Sequence, residues 1–282
     1  MTKRYLLFIP MGGFVDCISV INSMIQTCRN NGLIMLLYMK NSEYNINLTD
    51  FFDIKGTACQ IILDNNEIEH ILSNITGNIH PPILTDKIQE LTEQKLQFRF
   101  HKDWYSFQNI KLNIPNNQER YSLIVACKCR NIATNFNFFL NNMIPNDDIK
   151  KYCFENKRKI GNNYLFIHVR HTDHKSDYST LYEKNKNKIN SYDKVYLATD
   201  NKSVLEFFQN KCQNIYNFTV FPTPEQMTKN LHSSNMDSIL KMKCLLSDIY
   251  LSNNCNEFIS NSKGGFTNLL NGLSKGNKLK HF

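Results

Sequence analysis

The stretch YLFIHVRHTDHKSDY, from Tyr164 to Tyr178, ends an apolar run in a crowd of histidines, an arginine, an aspartate and a lysine. Arg170 stands where a strand would finish. A guanidinium there can fork onto a diphosphate through two parallel charge-assisted hydrogen bonds, which a lysine cannot do. The competing role is a salt bridge to Asp173 or Asp200. His168, two residues back on the same face, could donate to a base or phosphate oxygen, or be a satisfied core histidine. His168, His171 and His174 are spaced by three, but strand alternation turns His168 and His171 to opposite faces. The chain has no H-E-x-x-H and no D-x-D clasp, so no metal ligands are expected.

Three other turns could meet the same ligand. SNSKGGFTNLL starts a helix near Gly264 or Gly265. Its first-turn amides, with Ser260, Ser262 and Thr267 close by, form a natural phosphate seat, although a tight turn alone would also use Gly-Gly. It is not a P-loop, because G-x-x-x-x-G-K-[ST] is absent. MGGFVD, with Gly12, Gly13, Phe14 and Asp16, follows the first strand, and ATDN, with Thr199 and Asp200, follows a later one. Asp147 and Asp148 could suggest a metal pair, but after Pro145 and before a helical run they read as capping residues.

The elements that must position these turns alternate between strand and helix. RYLLFIP from Arg4 reads as a buried strand. FVDCISVINSMIQTCRNNG reads as a helix with an apolar face of Ile18, Ile21, Met24, Ile25 and Cys28, stopped by Gly32. LIMLLYM is the next strand, which completes a βαβ unit. DFFDI is a loop or short helix, CQIIL a strand, LTDKIQELTEQKLQFRF a helix, and YSLIVACKC a buried strand. In the second half the strands are YLFIHVR, KVYLATD, FTVFP and EFISN. Helices follow TDN, start near Asn235, and start near Gly264. The fold class is α/β: two Rossmann-like domains, residues 1–150 and 151–282, with parallel sheets facing across a cleft where strand carboxyl ends gather ligands.

The chain has 282 residues, 33 Lys+Arg against 25 Asp+Glu, and a formal net charge of +8, which suits an anionic ligand. The basic residues are scattered rather than blocked, so nucleic acid is not the expected partner. The apolar start is too short for a signal-peptide core, and no window approaches a membrane span, although a peripheral membrane contact stays open. Nine cysteines, with Cys127 and Cys129 as C-x-C on a strand, lack paired metal-ligand spacing. They read as reduced, mostly buried thiols of a cytoplasmic protein.

FIHVRHTDHK, VYLATDN and DIYLSNNCNEFISNSKGGFTNLL together resemble the three C-terminal motifs of the fucosyltransferase superfamily, and GGFVDCISVINSMIQTCRNNG with DFFDI resembles its N-terminal turn and helix. The resemblance is clearest over Tyr164 to Asn201 and Asp248 to Leu270, and does not extend to residues 55–122. It implies a GT-B fold and metal-independent, inverting transfer from GDP-fucose to a glycan or glycoconjugate, with no further cofactor and the acceptor held by residues 1–150. By that resemblance Arg170 grips the β-phosphate, while His168 and Asp248 lie near guanine and ribose. Thr199 and Asp200 line the nucleotide cleft, and the turn through Ser260, Ser262, Gly264, Gly265, Phe266 and Thr267 holds the diphosphate. Gly12, Gly13 and Phe14 match the N-terminal turn. His171 replaces the motif's second arginine, for which Lys175 could compensate, and Asp173 is a further candidate for the nucleotide site. Asp16 falls where many relatives have Asn, and is a candidate general base or a helix cap. A nucleotide-binding relative without transfer activity, and a basic nucleic-acid-binding protein, are the competing functions.

Overall fold

The computed structural model describes residues 3–40, 42, 44–101, 104–129, 135–172, 175–226, 231, 234–276 and 278–282. Asp173 and His174 lie outside them, as does the side chain of Cys129. The chain divides into two compact units, Met1–Ile144 and Pro145–Phe282. Among the described residues no helix is long and apolar enough to cross a membrane.

The first unit is built on β1 (Tyr5–Met11), whose Leu6–Ile9 segment is fully buried as a central parallel strand requires. The helix α1 (Phe14–Asn31) ends at Gly32, whose φ of 59° is the left-handed stop expected of it. The strand β2 (Ile34–Leu37) pairs parallel with β1. DFFDI resolves into a 3₁₀ turn, Leu48–Asp50, followed by β3 (Phe52–Ile54). Next come β4 (Ile61–Ile62), α2 (Asn65–Ser73) and β5 (Ile79–His80).

The long helix expected over LTDKIQELTEQKLQFRF does not form. A 3₁₀ segment, Pro82–Lys87, leads to a short α3 (Ile88–Thr92), and the chain then becomes β6 (Arg99–His101). Gln94 adopts φ 60°. The bonds Gln94 N to Leu91 O (3.1 Å) and Lys95 N to Glu90 O (2.9 Å) close a Schellman stop around it. Beyond it Leu96, Phe98 and Phe100 alternate, a strand period rather than a helical one. The antiparallel strands β7 (Trp104–Phe107) and β8 (Ile110–Lys111) follow. After them come β9 (Leu123–Cys129), α4 (Asn137–Asn142) and β10 (Met143–Pro145), which pairs with β3. The main sheet runs β4-β2-β1-β9-β7-β6.

The second unit opens with α5 (Asp147–Ile160). Its cap is Asn146, whose side chain accepts from Ile149 N at 3.0 Å. Asp147 and Asp148, expected as caps, sit in the first turn instead, where they favour the helix dipole, and Asp148 also pairs with Lys243 at 2.6 Å. Then come β11 (Leu165–Val169), α6 (Tyr178–Asn190), β12 (Val195–Thr199), α7 (Lys202–Lys211) and β13 (Ile215–Tyr216). The last elements are α8 (Ser238–Asn253), β14 (Glu257–Ser260) and α9 (Gly265–Ser274). The strand expected in FTVFP lies earlier, at Ile215–Tyr216. Asn217 ends it, because its amide takes Leu197 O at 2.7 Å and accepts Thr219 N at 3.1 Å, replacing the ladder.

The sheet order β13-β12-β11-β14 is parallel throughout. The chain steps from β11 outward to β12 and β13, then returns to place β14 on the other side of β11. This order reverses at β11, so its carboxyl end is the topological switch point where open α/β sheets bind ligands. One face of the sheet packs Leu165, Ile167, Val169, Val195 and Leu197 against α6 and α7. On the other, Phe166 lies 5.2 Å from the Tyr196 ring and 5.8 Å from that of Phe258.

Candidate functional site

The switch point brings together the loops after β11, β12 and β14. Arg170 leaves β11 with its N–H donated to Ser262 Oγ at 2.8 Å. A Cβ placed on Gly264 would lie 3.6 Å from Arg170 Nη1, so the guanidinium rests over the glycine that starts α9. Gly264 is the N-cap with φ 134° and ψ 173°, a conformation open in practice only to glycine. It has no side chain to cover the first-turn amides of α9. Arginine and helix N-terminus thus lie close together, two positive features on adjoining loops.

Ser260 and Ser262, expected beside phosphate, hold the loops to each other. Ser260 Oγ donates to His168 O at 2.7 Å and accepts Ser262 N at 3.1 Å. Ser262 Oγ, besides accepting from Arg170, is 2.8 Å from Ser176 Oγ. Ser176 N in turn donates to Arg170 O at 3.2 Å. A hydroxyl has one donor and two acceptor sites, and those of Ser262 are largely used. Ser176 was missed from sequence, since a serine between charged residues carries no periodic signal.

Asp200 is likewise a fastener. Its carboxylate accepts His171 N at 2.7 Å and Thr172 Oγ1 at 2.6 Å, which ties the loop after β11 to the end of β12. Thr199 is buried, and its hydroxyl accepts Asn201 N at 3.3 Å. His171 Nδ1 lies 3.0 Å from Ser176 O and its ring packs edge-on against Tyr178, so it braces the loop. Lys175 is exposed on the same loop, whereas Asp173 lies outside the described residues.

His168 is 4% exposed, with Nδ1 3.2 Å from Thr267 Oγ1 and its ring against Phe266 at 5.4 Å. Burial, and secondarily the charge of Arg170, push its pKa down to about 3, so the ring is neutral. Gly265, Phe266 and Thr267 form the first turn of α9. Asp248 is also buried, on α8, 9% exposed, accepting from Tyr196 Oη at 2.6 Å. Burial raises its pKa to about 7, against the lowering effect of the tyrosine hydroxyl.

In the first unit Gly12, with φ 92°, turns the chain from β1 into α1. Phe14, expected to face a ligand, is instead a core residue. It is 1% exposed and packs on Phe139 (5.6 Å), Tyr44 (6.3 Å) and Phe52 (6.4 Å), so it supports the turn from beneath. Asp16 is in the first turn of α1, with Oδ2 3.8 Å from where a Cβ on Gly13 would be. The N-cap is Gly13, not Asp16.

Neither a family model nor a curated protein matches the chain. Solved structures do. NodZ alpha-1,6-fucosyltransferase co-crystallized with GDP is similar with a TM-score of 0.63 at 18% identity, over 97% of this chain and 93% of that one. The fucosyltransferase NodZ from Bradyrhizobium gives 0.64 at 17% identity, over 97% and 94%. POFUT1 in complex with GDP gives 0.58 at 10% identity, over 99% and 98%. The chain has the fold of these enzymes, the α/β, GT-B-like class with parallel sheets that the sequence motifs implied.

Proposed function

We propose that this chain is a glycosyltransferase that moves fucose from GDP-fucose to a hydroxyl of a glycan or glycoconjugate, with inversion and without a metal ion. The observation that carries the reading is the Arg170 guanidinium lying over Gly264 at the start of α9. A transition state with glycosyl-cation character and a departing diphosphate needs positive charge and aimed N–H donors where negative charge grows. In this reading Arg170 and the amides of Gly265, Phe266 and Thr267 receive the diphosphate, with Lys175 adding charge from the loop. Neutral His168 and buried Asp248 serve the guanine and ribose, and Thr199 borders the nucleotide. Asp200, Ser260 and Ser262 act through the loops they fasten. Asp16, beside the Gly12–Gly13 turn, takes the acceptor's proton. The GDP and GDP-fucose complexes of NodZ support this choice of donor.

A second reading, GDP binding without transfer, is favoured by His171. The motif has a second arginine at this position, and here the ring is fastened to its own loop.

Thermal shift with GDP, UDP, dTDP and CMP tests the donor half. GDP alone should raise the melting temperature, by the equivalent of about 2.7 kcal/mol at 100 times Kd. Arg170→Ala should abolish the shift. A response only to UDP or dTDP would overturn the reading. Turnover of GDP-fucose with a glycan acceptor separates the two functions.

A further inference from the structure

The first unit holds a pair of sulfurs that the proposed transfer chemistry does not use. Cys28 is in the last turn of α1, fully buried. Immediately beyond the helix, Leu33 N donates to Cys28 O at 2.9 Å. Two residues further, Met35 N donates to Gln60 O at 3.0 Å, and Met35 is in register with Ile61 of β4. The strand entering β4 therefore runs beside the chain that leaves α1 for β2 and brings Cys59 close enough to Cys28 for each thiol to shift the other's titration.

The loop carrying Cys59 is fastened on both sides. Thr57 Oγ1 donates to Cys59 O at 2.7 Å, and Asn142 Nδ2 donates to Lys55 O at 2.9 Å and Gly56 O at 3.0 Å. Among the eight cysteines whose side chains are described, Cys59 and Cys255 are the two that are not buried. They differ in partner. Cys255 gives its S–H to Ser252 O at 3.1 Å, and burial pushes its pKa up to about 12. Cys59 faces another sulfur, and the hydrogen bond from Cys28 draws its pKa below the ordinary thiol value. A half-exposed thiol beside a buried one makes an attacking and a resolving cysteine.

We infer that Cys59 and Cys28 form a redox-modification site, at which a low-molecular-weight disulfide such as oxidised glutathione is reduced and the pair is joined. The Cys59 thiolate attacks one glutathione sulfur, breaks the S–S bond and expels a glutathione thiolate, leaving Cys59 glutathionylated. The Cys28 sulfur then attacks Cys59 and expels the second glutathione thiolate, and the two thiol protons leave on the two glutathiones. The protein loses two hydrogens and two glutathiones are formed.

The test is non-reducing peptide mass spectrometry of the full chain after exposure to oxidised glutathione. Wild type should yield a joined Cys28–Cys59 peptide pair, reversed by dithiothreitol. Cys28→Ser should stop at one stable glutathionyl group on Cys59, and Cys59→Ser should give neither product. Thiol labelling of wild type adds a measurement independent of either variant, in which Cys59 should react at least tenfold faster than Cys255. Joined peptides from other cysteines, a Cys28→Ser protein that gathers no adduct on Cys59, or equal labelling of Cys59 and Cys255 would overturn the assignment.

Discussion

At the scale of single residues, the site depends on a glycine that no side chain can replace. The φ of 134° at Gly264 puts the backbone in a region where a Cβ is strained, at a cost of about 1–3 kcal/mol. The space itself is not the obstacle, because 3.6 Å from a Cβ to Arg170 Nη1 is ordinary contact. Gly264→Ala should therefore lower stability by that amount and, by turning the loop, weaken GDP binding at least tenfold. Calorimetric unfolding and a GDP titration check both, and an alanine variant with wild-type stability and affinity would remove the backbone argument. That a helix starts at this Gly-Gly was readable from the sequence, but which of Gly264 and Gly265 carries the special backbone was not. Nor was what Ser260, Ser262 and Asp200 do. Residue type says that a hydroxyl or carboxylate can bind phosphate, whereas partners distant in sequence, Arg170 N, Ser176 and Thr172, decide that it fastens loops instead.

At the scale of the element, α1 shows how one carboxylate can serve a helix, a reaction or both. Asp16 in the first turn favours the helix dipole by about 0.3–1 kcal/mol whether or not it touches an acceptor. Asp16→Ala should cost that much stability. If Asp16 is also the base, turnover should fall at least a hundredfold with GDP affinity nearly intact. Equal loss of turnover and GDP affinity, or a loss of stability alone, would leave it a helix residue, and kcat measured beside GDP Kd separates the cases. The element α1 itself was legible because its apolar spacing, its Gly-Gly entry and its Gly32 exit all agree. The region after Pro82 was not. LTDKIQEL carries a helical pattern, but the stop at Gln94 uses a non-glycine residue in the left-handed conformation, for which composition gives no warning. The switch to alternation at Leu96, Phe98 and Phe100 was the available signal, masked by the charged and amide residues between them. Helix α6 was also missed, since its polar sequence buries only Leu181, Tyr182 and Ile189.

At the scale of the whole molecule, the two units have separate apolar cores, one around Leu7, Leu36 and Val125, the other around Ile167, Leu197 and Phe208. Unfolding need not be a single transition, and the proposed nucleotide should raise only the one belonging to the second unit. That unit also contains two buried titratable groups whose pH effects oppose each other. His168, lowered from 6.5 to about 3 by burial and Arg170, adds stability that is full above pH 6.5 and lost as pH falls toward 3. Asp248, raised from 3.8 to about 7 by burial, adds stability that is full below pH 3.8 and lost as pH rises through 7. Tyr196 and Cys153 also face Asp248, but their own pKa values are raised, to about 12 for Cys153, so they stay protonated across this window. Between about pH 4.5 and 6.5 the two slopes, each at most about 1.4 kcal/mol per pH unit, offset one another and wild-type stability should be nearly flat. Asp248→Asn should leave the histidine slope alone, so the melting temperature of the second unit climbs with pH. His168→Gln should leave the aspartate slope alone, so it declines. Melting curves of the three proteins across that window decide the matter. Two variants sloping the same way would mean that other groups set the pH response of this unit.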